Sequence, residues 1–252
     1  MTGPARGAAL VTGAGRRIGK ALALEAARAG YDVAVHYRAS ADEAQETAQA
    51  VRALGRRAVL VRAELSDETA VRGLIEASSQ ITPLTLLINS ASAFEDDRVG
   101  GLSRQTWDLH LETNLRAPIV LAEAFAAALP ADVQGLVVNI VDQRVLRPNP
   151  QFFSYSLAKA GLWWATQTLA QALAPRVRVN AIGPGPTLPS AHQAPGEFEA
   201  EAAGVLLQRR ATPDEVAAAL RYLIDATSVT GQMIAVDGGQ HLGWQTPDIV
   251  AP

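Results

Sequence analysis

The sequence predicts an α/β fold: one doubly wound, seven-stranded parallel sheet with helices on both faces, spanning residues 1–252 as a single domain. Three observations predict it. Short runs rich in Val, Leu, Ile and Ala alternate with longer segments rich in Ala, Leu, Glu and Arg, the order that right-handed strand–helix–strand crossovers require. The short runs are largely apolar with little polar alternation, as suits strands covered on both sides. A glycine-bearing loop follows the first run and opens the first helical segment.

In chain order, strands are expected at Ala8–Thr12, Asp32–His36, Ala58–Arg62, Leu84–Ile88, Leu136–Val141, Val177–Ala181 and Met233–Val236. Apolar residues at helical spacing predict helices over Ile18–Ala29, Ala41–Leu54, Asp67–Ser79, Arg104–Leu129, Ser154–Leu173 and Pro213–Asp225. Ser66 is placed to cap the third helix, and Pro213, after Thr212, to open the last. Gly30 and Gly55 follow helices, where a left-handed residue terminates the turn. Residues 184–210 are rich in Pro, Gly and Ala. A connection that long, leaving the carboxyl edge of a sheet, is expected to be a lid over a ligand site.

With 48% hydrophobic and 19% charged residues, the chain has ample apolar side chains for a packed core. A formal net charge of −3 offers nucleic acid and anionic membranes no general attraction. The lack of cysteine excludes disulfides, thiolate metal sites and a thiol nucleophile, in agreement with a reducing cytoplasm. No apolar run reaches the ~18 residues of a membrane span, and Met1–Gly7 lacks the basic-then-apolar pattern of an export signal. A soluble, cytoplasmic protein without nucleic-acid or membrane partners is expected.

The loop Thr12-Gly13-Ala14-Gly15-Arg16-Arg17-Ile18-Gly19 suits a dinucleotide in a Rossmann-like fold. Glycine lets the backbone approach a diphosphate, and the helix N-terminus attracts its charge. Gly13, Arg16, Arg17, Ile18 and Gly19 are therefore candidate cofactor contacts. NAD enzymes place an acid roughly 20 residues after this loop, on the ribose hydroxyls. The segment His36-Tyr37-Arg38-Ala39-Ser40 has Arg38 there and no acid. Arg38 and Ser40 can bond the additional phosphate of NADP, and Arg16 and Arg17 add charge to the same corner. NADPH is the expected cofactor.

Tyr155 and Lys159 stand four positions apart on a predicted helix and so project from one face. A phenol, whose ordinary pKa is ~10, becomes an acid–base group when a cation favours its ionised form. Lys159 is placed to do this and to bind the nicotinamide ribose, while Tyr155 delivers a proton beside a hydride from the cofactor.

With these residues the chain resembles the short-chain dehydrogenases/reductases over nearly its whole length. Thr12, Gly13 and Gly19 match the family's opening motif, with Arg17 in place of its middle glycine. Asn89-Ser90-Ala91-Ser92 resembles the Asn-Asn-Ala-Gly strand end, and Val236-Asp237-Gly238-Gly239 the last strand. The resemblance implies that Asn114 completes the catalytic set. It also implies that Arg178-Val179-Asn180 and Pro184-Gly185 lie beside the nicotinamide, and that Glu64-Leu65 meets the adenine in place of the usual Asp-Val or Asp-Leu. His36, Tyr37, Asn89, Ala91 and Ser92 join the implied cofactor contacts.

Most members carry a serine thirteen residues before the tyrosine; here that position is Asp142. A carboxylate repels the oxyanion formed as a ketone is reduced, but it accepts from amino groups and can relay a proton. A C=N bond in an amino-heterocycle is the expected target. Arg17, the His36–Ser40 segment, Asn89-Ser90-Ala91-Ser92-Ala93-Phe94 and Asp142 together resemble the pteridine and dihydromonapterin reductases. That resemblance implies that Phe94 stacks on a pterin lying against the nicotinamide. It further implies that Arg17 bridges cofactor phosphate and substrate, and that Ser92 bonds both ligands. Asp142 and Tyr155 would face the heterocycle. The expected reaction is NADPH-dependent reduction of a dihydropterin, such as dihydromonapterin or dihydrobiopterin, with dihydrofolate a further candidate. A ketone or 3-oxoacyl reductase of the same family is the alternative, and a non-catalytic NADP(H) sensor the alternative of another class.

His110, His192 and His241 show no metal-ligand spacing and read as surface or interface residues; no metal is expected. Trp163-Trp164 reads as packing. The family pairs this helix between subunits, which implies a homotetramer. His241-Leu242-Gly243-Trp244 is a segment that could reach a neighbour's active site.

Overall fold

The computed structural model describes residues 5–244; Met1–Pro4, part of the stretch read for an export signal, lie outside them. Strands β1 (Ala8–Val11), β2 (Asp32–Tyr37), β3 (Ala58–Arg62), β4 (Leu84–Asn89), β5 (Gly135–Ile140), β6 (Val177–Pro184) and β7 (Met233–Val236) form one sheet. Their order is β3-β2-β1-β4-β5-β6-β7, and every pairing is parallel. The chain builds outward through β2 and β3, then returns to pair β4 with β1. The loops after β1 and β4 therefore diverge and open a crevice at the carboxyl edge.

Along β1, Ala9 and Val11 face one core cluster while Ala8 and Leu10 face the other, the two-residue alternation of a strand covered on both sides. Helices α1 (Arg17–Arg28), α2 (Ala41–Ala53) and α8 (Pro213–Asp225) cover the first face. Helices α3 (Glu68–Ser79), α5 (Ala117–Ala128) and α6 (Phe153–Leu173) cover the second. Helices α4 (Arg104–Leu111) and α7 (Glu197–Ala203) complete the set.

Several local expectations change. The cap of α3 is Asp67, whose carboxylate accepts from the Thr69 and Ala70 N–H groups, so Ser66 does not fill that role. At α8 a capping box forms: Thr212 accepts from the Glu215 N–H, the Glu215 carboxylate accepts in return, and Pro213 opens the helix. Gly30 and Gly55 adopt the left-handed conformation, at φ 97° and 78°.

The helix expected over Arg104–Leu129 is interrupted by a π-helical turn at Glu112–Arg116. Pro118, in the first turn of α5, has no N–H to give the Asn114 carbonyl four residues back, and the hydrogen-bond register widens there. Strand β6 runs to Pro184, three residues further than expected, and the connection after it contains α7. Arg178 donates to the carbonyls of Leu223, Ile224, Ala226 and Val229, and Asn180 bonds Val229 and Gln232. Arg178 braces the end of α8 and Asn180 the connection from α8 to β7, and neither side chain faces the crevice. Trp163 packs against the Val141–Leu162–Ala181 cluster, but Trp164 is 69% exposed, so only the first is packing.

Candidate active site

The Thr12 hydroxyl accepts from the backbone N–H groups of Ser90 and Ala91 at 2.9 and 3.0 Å, locking the end of β1 to the end of β4. Gly13 has φ 66°, and a Cβ there would lie 2.9 Å from the Ala91 Cα. One on Gly19 would lie 2.1 Å from the Gly13 carbonyl oxygen. Both positions therefore require glycine for the loop to close.

His36 is buried; its Nδ1 accepts from the Gly13 N–H at 3.0 Å, and its Nε2–H donates to the Ala63 carbonyl at 3.2 Å. Burial lowers its pKa to about 4, so the ring is neutral with one tautomer. Its side chain is committed to the loop. Tyr37 ends β2 half-buried, and the Leu65 side chain belongs to the core. Ile18 packs, partly exposed, on the first core cluster.

Residue Arg16 ends the loop as the N-cap of α1; no side chain caps that helix and no acid occupies its first turn. The positive end of the helix macrodipole is left to a ligand. Arg17 has φ 55° in the left-handed region, which its family glycine would adopt without strain. Its guanidinium donates to the Leu188 and Pro189 carbonyls at 3.2 and 2.9 Å, tying the 184–210 connection to the glycine loop. Ser40 lies beside the loop, 3.2 Å from where a Gly15 Cβ would stand. Arg38 meets Glu64 at 3.7 Å; the acid missing from the β2 segment is supplied, as an exposed and weak partner, from the turn after β3. Two obligatory glycines, an uncapped helix N-terminus and the neighbouring Arg16 and Arg17 fit a dinucleotide phosphate.

The π turn places Asn114 under the loop after β4. Its amide donates to the Ala93 carbonyl and accepts from the Ala93 N–H, both at 2.8 Å, so one side chain clamps the backbone on both sides of one residue. Asn89 donates to Asn139 at 2.8 Å within the sheet. Ser92 is exposed, its hydroxyl donating to the Ala93 carbonyl. Phe94 stacks on Phe152 with ring centres 4.1 Å apart and meets the edge of Tyr155 at 4.7 Å.

The Tyr155 hydroxyl donates to Asp142 Oδ2 at 2.9 Å, and Asp142 Oδ1 accepts the Arg144 N–H at 2.9 Å, capping the 3₁₀ turn Gln143–Val145. Lys159 Nζ donates to the Ile140 carbonyl at 2.8 Å and lies 5.7 Å from the centre of the Tyr155 ring. Burial first, then Asp142, raises the Tyr155 pKa well above its ordinary value. Burial lowers that of Lys159 to about 8, against the pull of Asp142. The cation that draws the phenol down is Arg144, not the expected Lys159, and burial with Asp142 outweighs it: Tyr155 is held protonated, the state a proton donor needs.

Sequence reasoning missed several neighbours. Phe152 carries no motif, yet it forms the aromatic stack. His192, read as surface, donates from Nε2 to the Phe94 carbonyl at 2.8 Å. His110, also read as surface, is fully buried. Its Nε2 accepts the Glu95 N–H at 3.0 Å, and its Nδ1–H donates to Ser154 Oγ at 2.7 Å. Ser154 donates in turn to Asp97, whose carboxylate also accepts the Ser154 N–H at the start of α6. These partners are 15 and 44 residues from His110, a separation that leaves no local signal. Pro184 and Gly185 sit at the crevice edge against Asp237, which also holds His241 at 2.6 Å. Among the described residues no group of His, Cys, Asp or Glu is placed to hold a metal ion, and no helix is long and apolar enough to cross a membrane.

A parallel sheet with a glycine loop at its switch point and a buried phenol and ammonium beside a half-buried carboxylate on the same edge defines an oxidoreductase of the Rossmann type. Residues 13–241 match the family model described as enoyl-(acyl carrier protein) reductase, and the chain belongs to the short-chain dehydrogenase/reductase family. It is 30% identical over 240 residues to the 3-oxoacyl-[acyl-carrier-protein] reductase FabG of Staphylococcus epidermidis, covering 93% of this chain and 98% of that one.

Among solved structures it resembles FolM alternative dihydrofolate reductase 1 from Brucella canis complexed with NADP, at 51% identity and TM-score 0.94 over 98% of each chain. The Brucella suis protein of the same description, also with NADP, is 51% identical with TM-score 0.93 over 99% and 100% of the two chains. A short chain dehydrogenase from Burkholderia cenocepacia in complex with NADP is 33% identical, with TM-score 0.87 over 93% and 97%.

Proposed function

We propose that this protein is an NADPH-dependent pterin reductase, converting a dihydropterin such as dihydromonapterin or dihydrobiopterin, with dihydrofolate a further candidate, to its tetrahydro form. The observation that carries the reading is the 2.9 Å bond from the Tyr155 hydroxyl to Asp142, where a carbonyl reductase has a second hydroxyl. The 51% identity to proteins described as dihydrofolate reductases supports it. Gly13, Arg16, Arg17, Ile18 and Gly19 would cradle the diphosphate, Arg38 and Ser40 the additional phosphate, and Glu64-Leu65 the adenine. Phe94 and Ser92 would face the heterocycle.

NADPH, when bound, supplies a hydride to the carbon of a C=N bond. Tyr155 gives its proton to the neighbouring nitrogen, so that one hydride and one proton saturate the bond. Lys159, with a pKa of about 8, is mostly cationic at neutral pH and stabilises the phenolate left behind. Asp142 accepts N–H groups of the ring, and Asn114 holds the loop that presents Phe94. Leu157 and Trp164, exposed on α6, support assembly as a homotetramer through that helix.

The identity to FabG favours a second reading, reduction of a 3-oxoacyl thioester or ketone. NADPH oxidation against dihydropterins and against ketones separates the two. Turnover of dihydropterin that Asp142→Ser abolishes is expected. Turnover of ketones alone, kept or improved by Asp142→Ser, would remove the pterin reading. Activity unchanged in Tyr155→Phe would remove catalysis by this site altogether.

A further inference from the structure

The turn after Asp142 sets a second charged side chain against the aromatic pair. The guanidinium carbon of Arg144 lies 5.1 Å from the Phe152 ring centre and 5.7 Å from that of Phe94. One of its terminal nitrogens, Nη1, is buried without a hydrogen-bond partner. A buried donor left unpaired is costly, and a guanidinium fork is shaped for a carbonyl or carboxylate oxygen. Arg144 also lies within electrostatic reach of the reacting phenol, whose pKa it draws down against burial and Asp142. Two residues earlier, Asp142 offers acceptors only. Each of its oxygens already takes one hydrogen bond and has a further lone pair to offer.

We propose that Arg144 is a substrate-binding residue that, together with Asp142, reads a lactam edge: a ring N–H meets the carboxylate while the adjoining ring carbonyl oxygen meets Nη1. The ligand class is a flat oxo-heterocycle lying against Phe94. An acceptor and a donor side by side are complementary to an N–H beside a C=O. The corresponding diamino ring inverts the pattern: its ring nitrogen carries no hydrogen and turns a lone pair to Asp142, while its amino group is set against a cation. Arg144 therefore selects oxo over amino rings. This rests on the pterin reading above and specifies which edge of the ring is recognised.

Calorimetric titration of the NADPH-loaded protein with a 2-amino-4-oxopteridine and its 2,4-diamino counterpart tests it, in wild type, Arg144→Met and Arg144→Lys. In Arg144→Met the Kd of the oxo ligand should rise about 10- to 100-fold, the loss expected for a hydrogen bond to a charged donor, while that of the diamino ligand stays the same or falls. Arg144→Lys, keeping the charge without the fork, should lie between. Equal losses for both ligands, or no change in either, would overturn the assignment; NADPH affinity reports that each variant is folded. If the wild-type protein binds neither pteridine, the pterin reading fails, and this assignment with it.

Discussion

His36 ties the glycine loop to the end of β3, and acid should undo the tie. The ring is 2% exposed, and burial lowers its pKa from 6.5 to about 4. Between those values the unfolded chain binds a proton that the folded protein refuses, so stability rises with pH across this window. The contribution is whole above the unfolded pKa and is lost as pH falls toward the folded one. A displacement of about 2.5 pH units at about 1.4 kcal/mol each amounts to roughly 3 kcal/mol.

Urea unfolding of wild type and His36→Asn between about pH 7.5 and pH 4.5 measures it. In the variant, Asn Oδ1 takes the place of Nδ1 towards the Gly13 N–H but nothing reaches the Ala63 carbonyl, costing about 1 kcal/mol near neutrality. The variant carries no group to titrate at that position. Wild type should therefore begin about 1 kcal/mol more stable, lose about 2 kcal/mol more than the variant on acidification, and finish less stable. Parallel losses in the two proteins would refute the reasoning.

Two further outcomes follow from the geometry. Arg17→Gly removes a left-handed arginine and its bonds to Leu188 and Pro189. Thermal stability should hold or gain up to ~1 kcal/mol, while limited proteolysis within 184–210 accelerates; unchanged proteolysis would show that Arg17 does not tether the lid. His110→Ala leaves the Glu95 N–H without an acceptor and Ser154 without its histidine donor. A stability loss of about 1–3 kcal/mol is expected by denaturant titration, with a higher KM because Phe94 is carried on the same loop. A KM equal to wild type would mean that the relay supports only the fold.

The doubly wound sheet was legible because its signals are local. Continuous apolar runs mark strands covered on both faces, and the glycine loop sits where β1 gives way to α1. The mismatched helix at Arg104–Leu129 shows the limit of that reading. Its apolar spacing is helical throughout, and the π turn arises from one missing N–H at Pro118, a detail that periodicity averages away. Ser66 and Asp67 illustrate the same limit at a helix start, where two adjacent capping residues compete and side-chain reach decides.

For the site, the order of residues already names the available chemistry: a phenol, an ammonium and a carboxylate at spacings that bring them to one edge of the sheet. How that chemistry is tuned emerges from folding. The phenol is protonated because burial and Asp142 outweigh Arg144. The aromatic slot is lined by Phe152, Arg144 and His192, which have no motif in common. Spacing along a helix follows from covalent geometry and is written locally, whereas burial and long-range hydrogen bonds depend on segments 98 residues away at Phe94 and 172 away at Arg17 and exist only once the chain has folded.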